Sequence, residues 1–202
     1  MPRVLSLVVI LAAGSSIVNA QVISNGSFEH AKVNDNSWVG GGEADGWTFN
    51  ASSGIARGDG AWGRGGHSGD QYAYLQSRGD GIGLMTQVVK GLTRGQKYRV
   101  FFWMARRNTT YAPIRSANVA IPVSLLADNT TIFDFASPTG VGEWRLYESK
   151  PFIATTPGLT LTFMAQTSSN CQDRASLIDD VVLSPVVRKH ARVGAKSRSA
   201  AG

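Results

Sequence analysis

Cysteine is almost missing from this 202-residue chain: Cys171 is the only one, so no intrachain disulfide can form. Stability must therefore come from burial of apolar surface, with or without help from a metal, and a free Cys171 is most simply a buried, inert thiol. Long apolar runs are missing too. Beyond the first residues no stretch reaches the roughly 18 apolar residues that a membrane-spanning helix needs. Helical periodicity is equally scarce, since no segment carries a 3.6-residue apolar stripe for more than two turns. Histidine is rare: only three occur in the chain, and His30 and His67 are the two within the globular part. No GxSxG elbow, HExxH helix or cysteine–histidine pairing accompanies them, which removes the common signatures of serine hydrolases, zinc proteases and cysteine proteases.

What is present begins with an export signal. Arg3 precedes the apolar run Val4 to Ala13, and the small residues leading to Ala20 form an exit whose expected cleavage follows Ala20. The expected organisation is a signal peptide over 1–20, a single domain over 21–184 and a basic tail over 185–202, in a secreted protein. The net charge of +6 belongs to the two ends. Arg3 leaves with the signal, and Arg188, Lys189, Arg192, Lys196 and Arg198 stand in the tail, so the part between is neutral. A neutral body argues against nucleic acid as the partner, and the tail reads as a solvated end. Asn-X-Ser/Thr sites occur at Asn25, Asn50, Asn108 and Asn129; the last three are expected to carry glycans on surface loops.

The most strongly patterned stretch is Gly95 to Arg107. At period two, Tyr98, Val100, Phe102 and Met104 share one face, and Arg99, Phe101, Trp103 and Ala105 the other. A strand apolar on both faces belongs in the middle of a sheet, with one face sealed in a core. The expectation is that the tyrosine-bearing face is core and that the Trp103 face belongs to a binding surface.

Around this strand the chain alternates short apolar segments with glycine-rich turns. Val22 to His30 reads as a short strand anchored by Phe28, and Ala31 to Gly46 as loop. Trp47 to Phe49, Gln71 to Gln76, Met85 to Val89, Ala117 to Ala127, Glu143 to Tyr147, Pro151 to Ala154, Leu159 to Gln166 and Leu177 to Leu183 read as strands. Pro122 marks an edge or bulge. Strands at this spacing, with no helices, indicate an all-β sandwich of two antiparallel sheets.

The order of the pieces carries a resemblance. NGSFE at Asn25 to Glu29, Gly46-Trp47, SGDQYAYL at Ser68 to Leu75, Gln87, the central YRVFFWMAR, the Trp144 strand and IDDVVL at Ile178 to Leu183 together resemble galactose-binding-like jelly rolls. They are similar to carbohydrate-binding modules of polysaccharide hydrolases and to the DUF642 domain of plant cell-wall proteins. The plant wall proteins carry several cysteines and two such domains, whereas this chain has one of each. The resemblance implies a jelly roll of eight strands that binds polysaccharide or glycan without turnover, in an extracellular matrix or wall. Sugar rings need flat aromatic faces and hydroxyls need paired donors and acceptors. Trp103, Tyr72, Tyr74, Arg107 and Gln166 meet that need from strand faces assigned away from the core, and Trp62 meets it from a glycine-rich loop. Trp47 and Trp144 read as core residues.

The resemblance further implies a structural calcium between the first and last strands, with Glu29 and Asp179 supplying part of a shell of six to eight oxygens. Glu143 and Glu148, imagined as a hydrolytic carboxylate pair, stand five apart on one strand and point to opposite faces. Gly58 to Gly63 fits GxGxxG without the strand and helix that would give it meaning. The competing reading is an adhesive extracellular protein that binds protein or membrane through the basic tail or through Arg78-Gly79-Asp80.

Overall fold

The computed structural model describes residues 23–30, 32–58, 65–78, 81–107, 121–136, 138, 143–166 and 174–187. Among them are twelve strands and no helix: β1 (Trp38–Ala44), β2 (Trp47–Arg57), β3 (Gln71–Arg78), β4 (Gly81–Ile82), β5 (Leu84–Lys90) and β6 (Lys97–Arg106). The second half supplies β7 (Val123–Ala127), β8 (Thr130–Ala136), β9 (Arg145–Glu148), β10 (Phe152–Ile153), β11 (Gly158–Ala165) and β12 (Arg174–Pro185). The expected all-β antiparallel sandwich is what the chain forms.

The hydrogen-bonded path runs β10-β6-β12-β3-β2-β5-β11-β7-β8, with β1 on β2, β4 on β3 and β9 on β6. Strand β2 is the hinge of this path. Its first residues, Trp47 to Phe49, pair with β5, and Ser53 to Arg57 pair with β3, so one long strand serves both layers. Aromatic contacts then close the sandwich. Phe102 on β6 meets Phe163 on β11 at 5.1 Å between ring centroids, although those strands are not hydrogen-bonded neighbours. Trp47 sits 6.1 Å from the same Phe163 and 5.5 Å from Phe28, and its indole N–H donates to the Asn25 carbonyl. Burying a cluster of this kind stabilises by roughly 1.5–3 kcal/mol per large side chain.

Alternation decides which side of each strand is core. In β6 Tyr98, Val100, Phe102 and Met104 are all buried in the main core, and in β11 Leu159, Leu161, Phe163 and Ala165 are too. Both faces were assigned correctly from period two.

Four segments differ from expectation. Residues 50–57, expected as loop after the Trp47 to Phe49 strand, continue it as β2, because pairing with β3 and burial of Ile55 and Ala56 hold them extended. Residues 23–30 form turns rather than a strand, because Asn25 and Phe28 adopt φ of 46° and 60°. Residues 38–44, expected as loop, form β1, bulged between Gly40 and Gly42, where Gly41 and Gly42 take φ of 69° and 84°, and lying close on β2. A Cβ on Gly54 would strike the Val39 carbonyl and the Gly40 Cα. Strand β8 was missed altogether; it forms a tight hairpin with β7 around Asp128, whose φ is 51°. Arg78 and Gly81 are paired, so the Arg78-Gly79-Asp80 tripeptide does occupy a hairpin end, although residues 79 and 80 lie outside the described set. So do the expected signal peptide, residues 188–202 of the expected tail and Cys171, whereas Pro185, expected in the tail, ends β12 and the Val186 amide donates to the Lys97 carbonyl.

Candidate functional site

Strand β6 is central because it has partners on both sides, β12 on one and β9 and β10 on the other. Its outward face carries Trp103, Ala105 and, just beyond the strand, Arg107. Direct cross-strand partners share a face. Trp38 stands opposite Ala56 and Ala56 opposite Tyr72, while Asp179 stands opposite Trp103 and Trp103 opposite Leu146. Tyr74, Leu177 and Ala105 form a second such row. The outer face therefore carries Trp38 towards one edge and Trp103 towards the other, with Ala56, Tyr72, Tyr74, Leu177, Asp179 and Ala105 between them.

A second apolar cluster fills part of this face: Ala56, Tyr72, Tyr74, Ala105, Ala175 and Leu177, with Trp144 packed against it. Tyr72 and Tyr74 were expected to be displayed to a ligand. The period was right and the exposure was not, since both side chains are buried, and burial pushes the Tyr74 hydroxyl up to about 12.

The electrostatic centre is a bulge in β12. Between Asp179 and Val182 the ladder to β6 shifts register, Asp180 turns to φ 47°, and the Val181 amide donates to the Gly26 carbonyl instead. A bulge re-aims side chains. Here it presents two consecutive carboxylates to residues 65–70. Asp179 Oδ2 accepts from the amides of His67 at 2.7 Å and Ser68 at 3.1 Å, and its Oδ1 accepts from the Asp180 amide at 2.7 Å. Asp180 takes His67 Nδ1 at 2.6 Å and the Ser68 hydroxyl at 2.6 Å. Glu29 holds the other end of the loop, its Oε1 accepting the amides of Asp70 and Gln71 at 2.9 and 2.6 Å.

Two consequences follow for the site. Asp179 is wholly buried, and desolvation pushes its carboxyl up to about 7, with the Ser68, Asp180 and His67 amides pulling the other way and the Asp180 charge adding to the rise. The pinned loop also lays the His67 ring over the Trp103 indole, 3.7 Å between centroids and 15° between planes. Trp144 meets His67 edge-on at 6.2 Å and donates its indole N–H to the Gly65 carbonyl. Trp103 is thus half-buried with one face covered, rather than fully displayed. His67, Ser68 and Asp180 do not make a nucleophilic relay, because the hydroxyl bonds the carboxylate and not the imidazole.

The expected residues separate into groups. Trp103, Tyr72, Tyr74 and Arg107 share the outer face, with Arg107 also buried. Gln166 belongs to the other layer, at the end of β11, where its amide donates to Ser124 Oγ at 2.9 Å; it does not join them. Trp62 and Asn108 lie outside the described residues. Asn129 is exposed in the β7–β8 turn. Asn50 is different: Nδ2 donates to the Ile82 carbonyl at 2.7 Å, and Oδ1 accepts from Ser52 N, Ser53 Oγ and Leu84 N. A glycan on Nδ2 would compete with that tie between β2 and the β4–β5 connection.

Glu143 and Glu148 are engaged with Arg145 and Arg99. Sequence reading missed His67 and Trp38. The first is found only through its carboxylate partner more than a hundred residues away, and the second only once β1 is known to be a strand.

Among the described residues no group of three or more His, Cys, Asp or Glu side chains is poised around one point. Backbone oxygens alter that picture beside Asp179, whereas Glu29 stands against Gly69. The carbonyls of Ser68 and Gln71 and Asp179 Oδ2 converge within 2.6, 2.7 and 3.2 Å of the place a Cβ on Gly66 would take. These are hard oxygen donors, the kind calcium selects.

No protein-family model matches the sequence, and no curated protein matches it. Solved structures share its fold. One is TmCBM61 in complex with beta-1,4-galactotriose, 15% identical, covering 69% of this chain and 88% of that one at a TM-score of 0.50. Another is an arabinose-bound α-L-arabinofuranosidase, MgGH51, 11% identical over 82% of this chain at a TM-score of 0.54; the match covers 26% of that longer protein. At these identities the likeness is one of fold, and the resemblance to plant wall domains has no counterpart in it.

Proposed function

We propose that this chain is a non-catalytic carbohydrate-binding module that takes an oligosaccharide on the outer face of the β1-β2-β3-β12-β6 sheet. The observation that carries the reading is the Trp103–His67–Asp180 assembly. It sets aromatic surface beside a hydrogen-bonded imidazole and carboxylate, the combination a sugar ring and its hydroxyls require. Leu146 on one side is exposed, and Trp38 gives the opposite rim of the same face an indole that is 52% exposed. Four strand spacings, about 19 Å, separate Trp38 from Trp103, and Ala56, Tyr72 and Asp179 between them are buried, so the sugar contact is placed at the Trp103 rim.

The fold neighbours support the reading as far as their names go, one being a module in complex with a galactotriose and the other an enzyme with bound arabinose. A calcium held by Glu29, Asp179 and the Ser68 and Gln71 carbonyls belongs to the same proposal; when bound it would cross-link residues 65–71 to the first and last segments of the domain. Secretion and glycan attachment at Asn129 complete it. An array of plant, animal and microbial glycans probed with wild type and Trp103→Ala tests the proposal. Signal on a defined glycan class, lost in the variant, supports it. Signal that persists in the variant, or an empty array, rejects it.

A further inference from the structure

A second concave feature lies away from the proposed sugar face. It opens where the β7–β8 turn meets the segment 150–159, with a volume of about 480 Å³, within the range of small-molecule sites. Its floor is apolar and buried, formed by Ile132, Ala154 and Leu159. Phe152, half-buried, stands in the wall.

The walls are tied from three directions, so the cavity is built rather than incidental. Asp128 Oδ1 accepts the Thr160 amide at 2.9 Å, and the Asp128 amide donates to the Thr160 carbonyl, fixing the turn to β11. The Lys150 amide donates to the Ile132 carbonyl at 2.7 Å, fixing the 149–153 segment to β8. Ala154 exchanges bonds with Gln96 and Gly95, fixing the far wall. The rim is polar: exposed Asp128 and Lys150 line the opening with Thr131 and Thr155, and among the described residues neither charged group is in an ion pair.

From this arrangement we infer a second ligand site, for a single neutral polyhydroxylated ring of monosaccharide size. Phe152 offers the ring a face, the threonine hydroxyls take and give hydrogen bonds to hydroxyls, Asp128 accepts only and Lys150 donates only. One carboxylate and one ammonium leave the rim without net charge, which argues against a strongly charged ligand. The site is separate from the first. Phe152 pairs with Tyr98, five residues along β6 from Trp103, or about 17 Å at strand rise. It does not depend on the sheet-face proposal, and two such sites on one module would let it bridge two chains of one polysaccharide.

Backbone amide NMR of the unglycosylated full-length chain tests this, with methyl β-D-glucopyranoside, methyl β-D-galactopyranoside and methyl β-D-xylopyranoside as probes. Saturable shifts at the Thr131, Phe152 and Thr155 amides with at least one probe are expected. Phe152→Ala should weaken them by about tenfold, the worth of one good aromatic contact. Lys150→Met, an exposed change that leaves the floor intact, should weaken them measurably, and Trp103→Ala should leave them unchanged. The inference is overturned if no probe shifts these amides, if shifts are confined to the Trp103 face, or if Lys150→Met and Phe152→Ala both bind as wild type.

Discussion

Asp179 is the residue on which the local chemistry turns. Its pKa is raised from 3.8 to about 7, so between those values the folded chain holds a proton that the unfolded chain has released. Stability from this group is therefore greatest below 3.8, falls as pH rises through the window and levels off above about 7. Urea unfolding in chelator between pH 4 and 8 should show this decline, and Asp179→Asn should flatten it; an equal slope in both proteins would contradict the assignment. Asn50 makes a contrasting case. Losing its carboxamide in Asn50→Ala leaves several part-buried partners unsatisfied and should cost about 1–2 kcal/mol in denaturant titration, whereas Asn129→Gln should cost almost nothing. Residue roles of this kind were only partly legible beforehand. A sequon is visible as three letters, but whether its amide is already spoken for depends on Ile82 and Leu84, some thirty residues away.

At the scale of elements, β6 and β11 were readable because their alternation is strict and their side chains large, so that one register buries Tyr98, Val100, Phe102 and Met104 in β6 and Leu159, Leu161, Phe163 and Ala165 in β11. Strand β1 was not. Its glycines carry no alternation, and what makes it a strand is the close approach of its backbone to β2, a tertiary effect. Gly54→Ala tests that closeness: a Cβ there meets the Val39 carbonyl, and the expected loss is about 1–3 kcal/mol. A neutral substitution would mean that β1 stands off from β2. The bulge in β12 was hidden for a similar reason, since Asp179 and Asp180 look like any acidic pair until the Gly26 carbonyl takes the Val181 amide between the strands. Tyr72 and Tyr74 show the limit of periodicity: it identifies a face without revealing what covers it.

For the molecule as a whole, the sandwich brings its first described turn, residues 65–71 and its last strand to one place. The carboxylates there hold backbone amides in the absence of metal and leave hard oxygens pointing inward. Millimolar calcium should raise the melting temperature of the wild type and do so less for Glu29→Gln, with magnesium a weaker substitute. An unchanged melting temperature on adding calcium to chelated protein would remove the metal from the account. Two layers around a single aromatic core were legible from turn spacing and alternation, whereas the ligand face needed the register of five strands. The decisive measurement is calorimetric titration of the best array glycan into wild type and Trp103→Ala. The account predicts an affinity loss of about tenfold or more in a variant whose circular dichroism spectrum still shows the folded sandwich. Equal affinity in the two proteins would contradict it.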